Sequence, residues 1–163
     1  MKKLKNFYFI FALTICYIFL LISPINVLGN ANNPMIETEY LQNGDIIETI
    51  IEFDTPSEVS IFSTSKTTSG SKTTRYKSSS GTVLWSVKVY GTFTFNGSSA
   101  KCTSSKVTAT APAKSWYISS SSAAKSENSA TAKATARQKI DGEILQTITR
   151  SVTLTCSKSG KLS

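Results

Sequence analysis

The sequence of 163 residues contains no histidine. Without an imidazole there is no Ser-His-Asp or Cys-His nucleophile, no zinc site held by histidine and no histidine pH switch. Cysteine is also scarce, at three residues. We expect Cys16 to be lost with an N-terminal signal, and two thiols are then too few for a zinc site. The length predicts a single domain, and we expect no metal and no cofactor.

Acidic residues are rare in the second part of the chain. Residues 61–163 contain three, Glu127, Asp141 and Glu143. A glycosidase with paired carboxylates would therefore need acids from residues 30–60. There is no glycine-rich phosphate loop or aspartate-rich calcium loop. One Ser-x-x-Lys spacing, Ser122–Lys125, is expected by chance in so serine-rich a chain. We therefore predict that the protein is not an enzyme.

The N-terminus has the pattern of a secretory signal. A basic start, Lys2–Lys5, precedes the apolar run Phe7–Ile22, and small residues follow. We predict a signal peptide helix over residues 1–29, cleaved near Gly29 or Ala31, and a secreted, extracellular product. An N-terminal membrane anchor is the alternative, because the run is slightly long for a signal and short for a spanning helix.

The remaining charges divide the chain into two opposite parts. Residues 30–60 hold seven acids and no Lys or Arg, whereas residues 61–163 hold 15 bases. We interpret these parts as an acidic N-terminal segment and a basic Ser/Thr-rich domain. The acidic segment is expected to be a strand that complements the basic domain. The alternatives are a cleaved pro-segment that masks a basic surface and a disordered spacer, which the apolar stretch 46–53 disfavours.

Apolar residues recur with a period of two in the basic domain. Between Thr82 and Phe95 they occupy the odd positions, Val83, Trp85, Val87, Val89, Phe93 and Phe95. Such alternation predicts a strand with one buried face, so that Ser and Thr form the hydrated face. The alanines of Ala130–Ala136 alternate in the same way. We predict a strand there rather than a helix, because period two would spread these alanines around a helix.

Asn96-Gly97 predicts a β-hairpin, since both positions of a type I′ turn need positive φ. A two-residue loop would pair Phe93 with Ala100 and Gly91 with Cys102. Cys102 would then point into the core, and Gly91 would give its sulfur room or mark a bulge.

Asp141-Gly142 predicts a second hairpin. We expect a three-residue turn over Ile140–Gly142, which pairs Ala134 with Ile148 and keeps the even positions of both strands on one face. Arg150 then falls on the buried face. A bulge, or a carboxylate from the acidic segment, would be needed to accommodate it.

Shorter patterns complete the prediction of the fold. Ser71–Lys77 and Ser115–Ser120 read as strands, and Ser119–Ser129 as a polar loop. Asp45–Phe53 is compatible with a helix or a strand, and its isoleucines favour the strand. About seven strands predict an all-β, antiparallel β-sandwich, immunoglobulin-like or a small barrel.

Cys102 and Cys156 both fall on predicted inward faces of an exported protein. We expect a disulfide between them, which would close a 55-residue loop and stabilise the fold by roughly 4 kcal/mol. Two buried free thiols are the alternative, because cysteine is a good small core residue.

Two groups of basic residues are candidates for binding an anionic cell-wall polymer or a membrane surface. One group lies near residue 75 and the other near residue 136; their members are Lys72, Arg75 and Lys77, and Lys133, Arg137 and Lys139. The alternative is that these charges only protect strands from aggregation. Nucleic acid is disfavoured as a partner, because the aromatic residues needed for stacking on bases are committed to the core.

Four segments resemble a group of small secreted proteins from Gram-positive bacteria. They are Gly81–Val87, Gly91–Gly97, Ser115–Ser119 and Ser151–Ser163, and the resemblance covers roughly residues 66–163. It implies an exported location and brings no catalytic residue. We expect a secreted binding or interaction module at the cell envelope or outside the cell. The alternative is an antimicrobial or toxin-like effector with an acidic pro-segment.

Overall fold

The computed structural model describes residues 34–54 and 65–163, which form eight β-strands and no helix. The predicted signal peptide, residues 1–29, lies outside the described residues. Within the described part, no helix could span a membrane. The strands are β1 (Met35–Tyr40), β2 (Ile46–Phe53), β3 (Lys66–Lys77), β4 (Val83–Phe95), β5 (Ala100–Thr110), β6 (Trp116–Ser126), β7 (Ser129–Ile140) and β8 (Glu143–Thr155).

The strands form two antiparallel sheets. Sheet A has the order β1-β2-β3-β4-β5, and sheet B has the order β6-β7-β8. Sheet B packs on β3, β4 and β5, whereas β2 lies between β1 and β3 at the edge of sheet A. The predicted all-β sandwich is confirmed, with one strand more than expected in the part of the chain that is described.

The core lies between the sheets and follows the predicted alternation. Trp85, Val87, Val89 and Phe93 of β4 are at most 1% exposed, and so are the four alternating alanines of Ala130–Ala136 on β7. Large side chains of sheet A thus meet the smallest apolar side chains of sheet B. Ile144, one of the even positions of β8 that were expected to share the inward face, is 50% exposed, because it lies at the far end of the strand.

The β4–β5 hairpin differs from the predicted register. Its loop has four residues, 96–99, because the Asn96 side chain accepts hydrogen bonds from the backbone N–H groups of Ser98 and Ser99. Phe93 is therefore opposite Cys102 rather than Ala100, with a bulge beside it. Cys102 is buried, as predicted.

The β7–β8 hairpin has a two-residue turn rather than three. Asp141 and Gly142 both have positive φ, and Ile140 is opposite Glu143. A bulge opposite Gln138–Lys139 shifts the pairing by one residue, which has the same effect on the two faces as the longer turn that was expected. The even positions share a face, as predicted, but Ala134 is opposite Arg150 rather than Ile148.

Arg150 lies on the inward face without a bulge of its own. Its Nε atom is buried and has no hydrogen-bond partner, and none of the ion pairs among the described residues involves it. Burial and the adjacent Asp45 carboxylate raise the pKa of Tyr76, and the charge of Arg150 opposes them. The Tyr76 hydroxyl donates a hydrogen bond of 2.6 Å to Asp45. A carboxylate of the acidic segment thus lies in the same region, although it is bound to tyrosine.

The serine-rich stretch after Trp116 is a strand rather than the predicted polar loop. Strand β6 continues to Ser126, and Glu127-Asn128 forms the turn to β7. The Ser-x-x-Lys spacing falls on this strand. Ser122 is opposite Lys133 and Lys125 is opposite Ala130, so that their side chains lie on opposite faces.

The described part of the acidic segment is a β-hairpin in sheet A. Strand β2 pairs with β3 along its whole length, from Ile46 opposite Lys77 to Phe53 opposite Gly70. The strand alternative for this stretch is therefore confirmed over the helix. Strand β1, which was not predicted, is exposed at all six residues.

Gly91 makes room for an aromatic ring rather than for the Cys102 sulfur. A Cβ atom at this position would lie 2.6 and 2.7 Å from ring atoms of Phe93 and 3.0 Å from the Cβ atom of Ala130. The two sheets approach closely at this point, so that glycine is required for space.

Gly91→Ala should lower the free energy of unfolding by about 1–3 kcal/mol, because the buried ring has nowhere to move. Urea denaturation measures the change. In the double variant Gly91→Ala/Phe93→Leu the smaller side chain relieves the clash. Its loss should therefore be less than the sum of the two single losses, and additive losses would contradict this explanation.

Candidate functional site

The outer face of sheet B carries a continuous set of polar side chains, which we call the hydroxyl face. Cross-strand pairing places residues from all three strands on it. Its members are Tyr117, Ser120 and Ser122 of β6, Thr131, Lys133, Thr135 and Arg137 of β7, and Thr147, Thr149, Ser151 and Thr153 of β8.

Hydrogen bonds between threonines hold the hydroxyl face in place. The Oγ1 atoms of Thr131 and Thr153 are 2.9 Å apart, and those of Thr135 and Thr149 are 2.8 Å apart. Each such pair uses one hydroxyl hydrogen, which leaves the second hydroxyl hydrogen and the remaining lone pairs for a ligand or water. The face is thus ordered while still able to donate and accept hydrogen bonds.

Lys133 and Arg137 lie on the central strand of this face. They are four residues apart on the same side of β7, a spacing of about 13 Å. Lys133 is exposed, and Arg137 is half-buried with a buried Nε atom that has no hydrogen-bond partner. Neither takes part in an ion pair within the described ranges. Both cations are therefore available to an anionic ligand.

The acids of sheet B lie at its ends. Glu127 and Asp141 are in the two turns, and Glu143 is the first residue of β8. Lys139, the third predicted cation, is exposed at the same end as Asp141, beside the bulge of β8. It therefore extends the row of cations towards the turn, where two carboxylates offset its charge.

The predicted cations of sheet A do not form one surface. Lys72 is opposite Val89 and Ile51, and so lies on the inner side of the sheet, whereas Arg75 is opposite Ser86 on the outer side. The predicted grouping of Lys72 with Arg75 and Lys77 did not take into account that successive residues of a strand point to opposite faces. The two outer cations are themselves occupied by an acid.

Glu48 of β2 binds both outer cations of β3. Its Oε2 atom accepts a hydrogen bond of 3.0 Å from Arg75 Nη1, and its Oε1 atom contacts Lys77 Nζ. Lys77 and, less strongly, Arg75 keep the pKa of Glu48 below its ordinary value, although burial opposes them. Glu52 is held in the same way by Lys88, at 2.9 Å, and by Ser71.

The two cysteines lie at adjacent positions of the core. Cys102 N–H donates to the Glu127 carbonyl at 2.6 Å, and Cys156 N–H donates to the Asn128 carbonyl at 2.9 Å. Both are free, buried thiols, and no bridge joins them in the structure. Burial raises the pKa of both, and the neighbouring Cys102 raises that of Cys156 further.

Two features of the site were missed from the sequence. Tyr117, opposite Arg137, is 38% exposed on the hydroxyl face. The pairing of Glu48 with Arg75 was missed because the register of β2 on β3 has no turn signal to set it. The opposite charge of the two segments was the available signal. No group of three or more metal-ligating side chains occurs in the described part of the chain.

Comparison of the chain with protein-family models, with curated proteins and with solved structures gives no match.

Glu48→Gln should lower the free energy of unfolding at pH 7 by about 1–2 kcal/mol, because a charged hydrogen-bond acceptor is lost. The folded-state pKa of Glu48 is depressed, so that its contribution is present above the ordinary value of 4.5 and is lost as the pH falls through the folded value. Urea denaturation at several pH values measures this change.

The difference between wild type and Glu48→Gln should therefore shrink as the pH falls below 4.5 and close once the pH is below the folded-state pKa of Glu48. Glu37→Gln, on the exposed strand β1, is the control and should leave stability unchanged at every pH. A difference that persists undiminished into acid would show that Glu48 acts by packing rather than by charge.

Proposed function

We propose that this protein is an exported, non-enzymatic binding module that holds an anionic cell-wall polymer on the hydroxyl face of sheet B. The observation that carries the proposal is the pair Lys133 and Arg137, which are free of ion pairs at the centre of that face. An unpaired guanidinium binds phosphate through parallel N–H donors, and an ammonium adds a point charge.

The surroundings of the two cations support a polymer rather than a small ligand. The face is an open sheet surface, and hydroxyl groups flank both cations on the neighbouring strands. Such hydroxyls offer hydrogen bonds along an extended chain of sugars or polyols. Tyr117, beside Arg137, adds an exposed ring on which an apolar part of the polymer can pack.

The double variant Lys133→Gln/Arg137→Gln should weaken binding to inorganic polyphosphate, used as the probe, about tenfold or more, since each surface cation contributes about 1 kcal/mol. Binding is measured by titration at several salt concentrations. The dependence of log affinity on log salt should become shallower by about two, one for each lost phosphate contact.

Lys101→Gln/Lys106→Gln is the matched control, because it removes two exposed lysines of sheet A and changes the net charge equally. It should reduce affinity at most twofold. Equal losses in the two double variants would show that net charge, rather than the hydroxyl face, determines binding.

We infer that the two thiols are oxidised to a disulfide after export. Adjacent carbonyls anchor their backbones, and both side chains belong to the same core cluster. Two thiols would lose two protons and two electrons to the disulfide of an exchange partner, which would be reduced to a dithiol. The raised pKa values disfavour the thiolate, so that an oxidoreductase rather than spontaneous oxidation is expected.

Protein recovered from an oxidising compartment should unfold at a temperature on the order of 10 °C higher than after reduction, given roughly 4 kcal/mol for a 55-residue loop. Thermal unfolding with and without reductant measures this shift, and thiol titration counts free cysteines. Identical unfolding curves with two titratable thiols would rule out the bridge.

A further inference from the structure

We propose that the outer face of sheet A carries a second polyanion site, which the β1–β2 hairpin masks with its own carboxylates. The site consists of Arg75 and Lys77 of β3 and Lys88 of β4. In the closed protein Glu48 and Glu52 take the place of the external anion. This site is separate from the hydroxyl face, and it does not require that face to bind a polymer.

The ligands of the two carboxylates are those that a phosphate would use. Glu48 is held by one guanidinium and one ammonium group, and Glu52 by one ammonium group and the hydroxyl of Ser71. Arginine, lysine and serine donors that converge on acidic oxygens form a common anion-binding set. The two carboxylates lie four residues apart on the same face of β2, about 13 Å along the strand, so that the site is suited to an extended polyanion.

The masking hairpin is attached along one edge of the sandwich. Strand β2 pairs with β3 and β1 pairs with β2, and no Cα atom of either strand lies within 8 Å of a Cα atom of sheet B. The buried Ile50 and Ile51 and the hydrogen bond from Tyr76 to Asp45 hold the hairpin in place, whereas all of β1 is exposed. Such an edge unit opens at a lower free energy than the whole domain unfolds. Its opening leaves the contacts of β3, β4 and β5 with sheet B in place.

The negative charge of the hairpin suits it to cover the cations of sheet A. Residues 34–54 contain six acids and no base, whereas residues 65–163 contain 15 bases and three acids. Displacing the hairpin therefore removes its negative charge from β3 and exposes three cations at once. A polyanion competes with Glu48 and Glu52 for the same donors. It shifts the equilibrium towards the open state by the difference between its binding free energies for the open and closed states.

The test uses the full mature chain carrying Lys133→Gln/Arg137→Gln, so that the hydroxyl face no longer contributes, and inorganic polyphosphate as the probe. Adding Glu48→Gln/Glu52→Gln should raise affinity about tenfold. Adding Glu37→Gln/Glu39→Gln changes the net charge equally on the exposed strand β1, and should raise it at most twofold. Equal gains, or no gain from the first pair, would overturn the proposal.

A second measurement on the unaltered protein guards against misfolding of the variants. Amide hydrogen exchange is followed with and without polyphosphate. In the presence of polyphosphate, exchange in β2 (Ile46–Phe53) should become at least several-fold faster, while exchange in the core strand β4 stays unchanged. Exchange in β2 that stays the same or slows at saturating polyphosphate would show that the hairpin is a permanent strand. Loss of binding in Lys133→Gln/Arg137→Gln concerns the hydroxyl face alone, so that the two proposals can fail separately.

Discussion

The close approach of the two sheets at β4 and β7 is the constraint on which the rest of the structure depends. Fully buried alanines of β7 face the large side chains of β4, and a Cβ atom at Gly91 would touch both Phe93 and Ala130. Small residues on one sheet allow large residues on the other to fill the space without voids. Trp85 and Phe93 are the largest of the fully buried side chains in the described part of the chain.

The outer faces of the two sheets are largely polar, and this explains the composition of the chain. Every second residue of a strand points away from the core, so that Ser, Thr and Lys accumulate while the fold remains a packed sandwich. Cross-strand pairs such as Ser86 with Thr110 and Thr135 with Thr149 order these faces through hydroxyl hydrogen bonds. The outer faces of the two sheets differ in charge, because acids pair with cations on sheet A and not at the centre of sheet B.

Periodicity predicted the strands and the buried faces well, because the period of two depends on burial alone. It did not predict registers, which depend on loops and bulges. At Asn96 the side chain caps two amides and lengthens the loop. At Asp141 a bulge in β8, opposite Gln138–Lys139, allows the shorter turn. The strand predicted at Ser115–Ser120 was shorter than β6, because the serines beyond Ile118 show no apolar alternation. That part of β6 is held by its pairing with β7.

The candidate site was predicted in part. Lys133 and Arg137 share a face because they are an even number of residues apart, as a strand requires. Lys72 and Arg75 are separated by an odd number, so they could not share one. Glu48 forms ion pairs with Arg75 and Lys77 because two distant segments of opposite charge pair as strands. Composition alone does not give the register of that pairing.

The central cations of the two sheets differ in whether an acid pairs with them, and this difference gives a physical reason for the charge asymmetry of the chain. On sheet A the cations nearest the acidic hairpin are paired, because β2 brings Glu48 and Glu52 to them. On sheet B the acids stand at the turns, and Lys133 and Arg137 stay unpaired at the centre of the central strand. Lysines that guard against aggregation are most useful on edge strands. β7 is paired on both sides, so that its two central cations are better explained by a ligand than by protection of an edge.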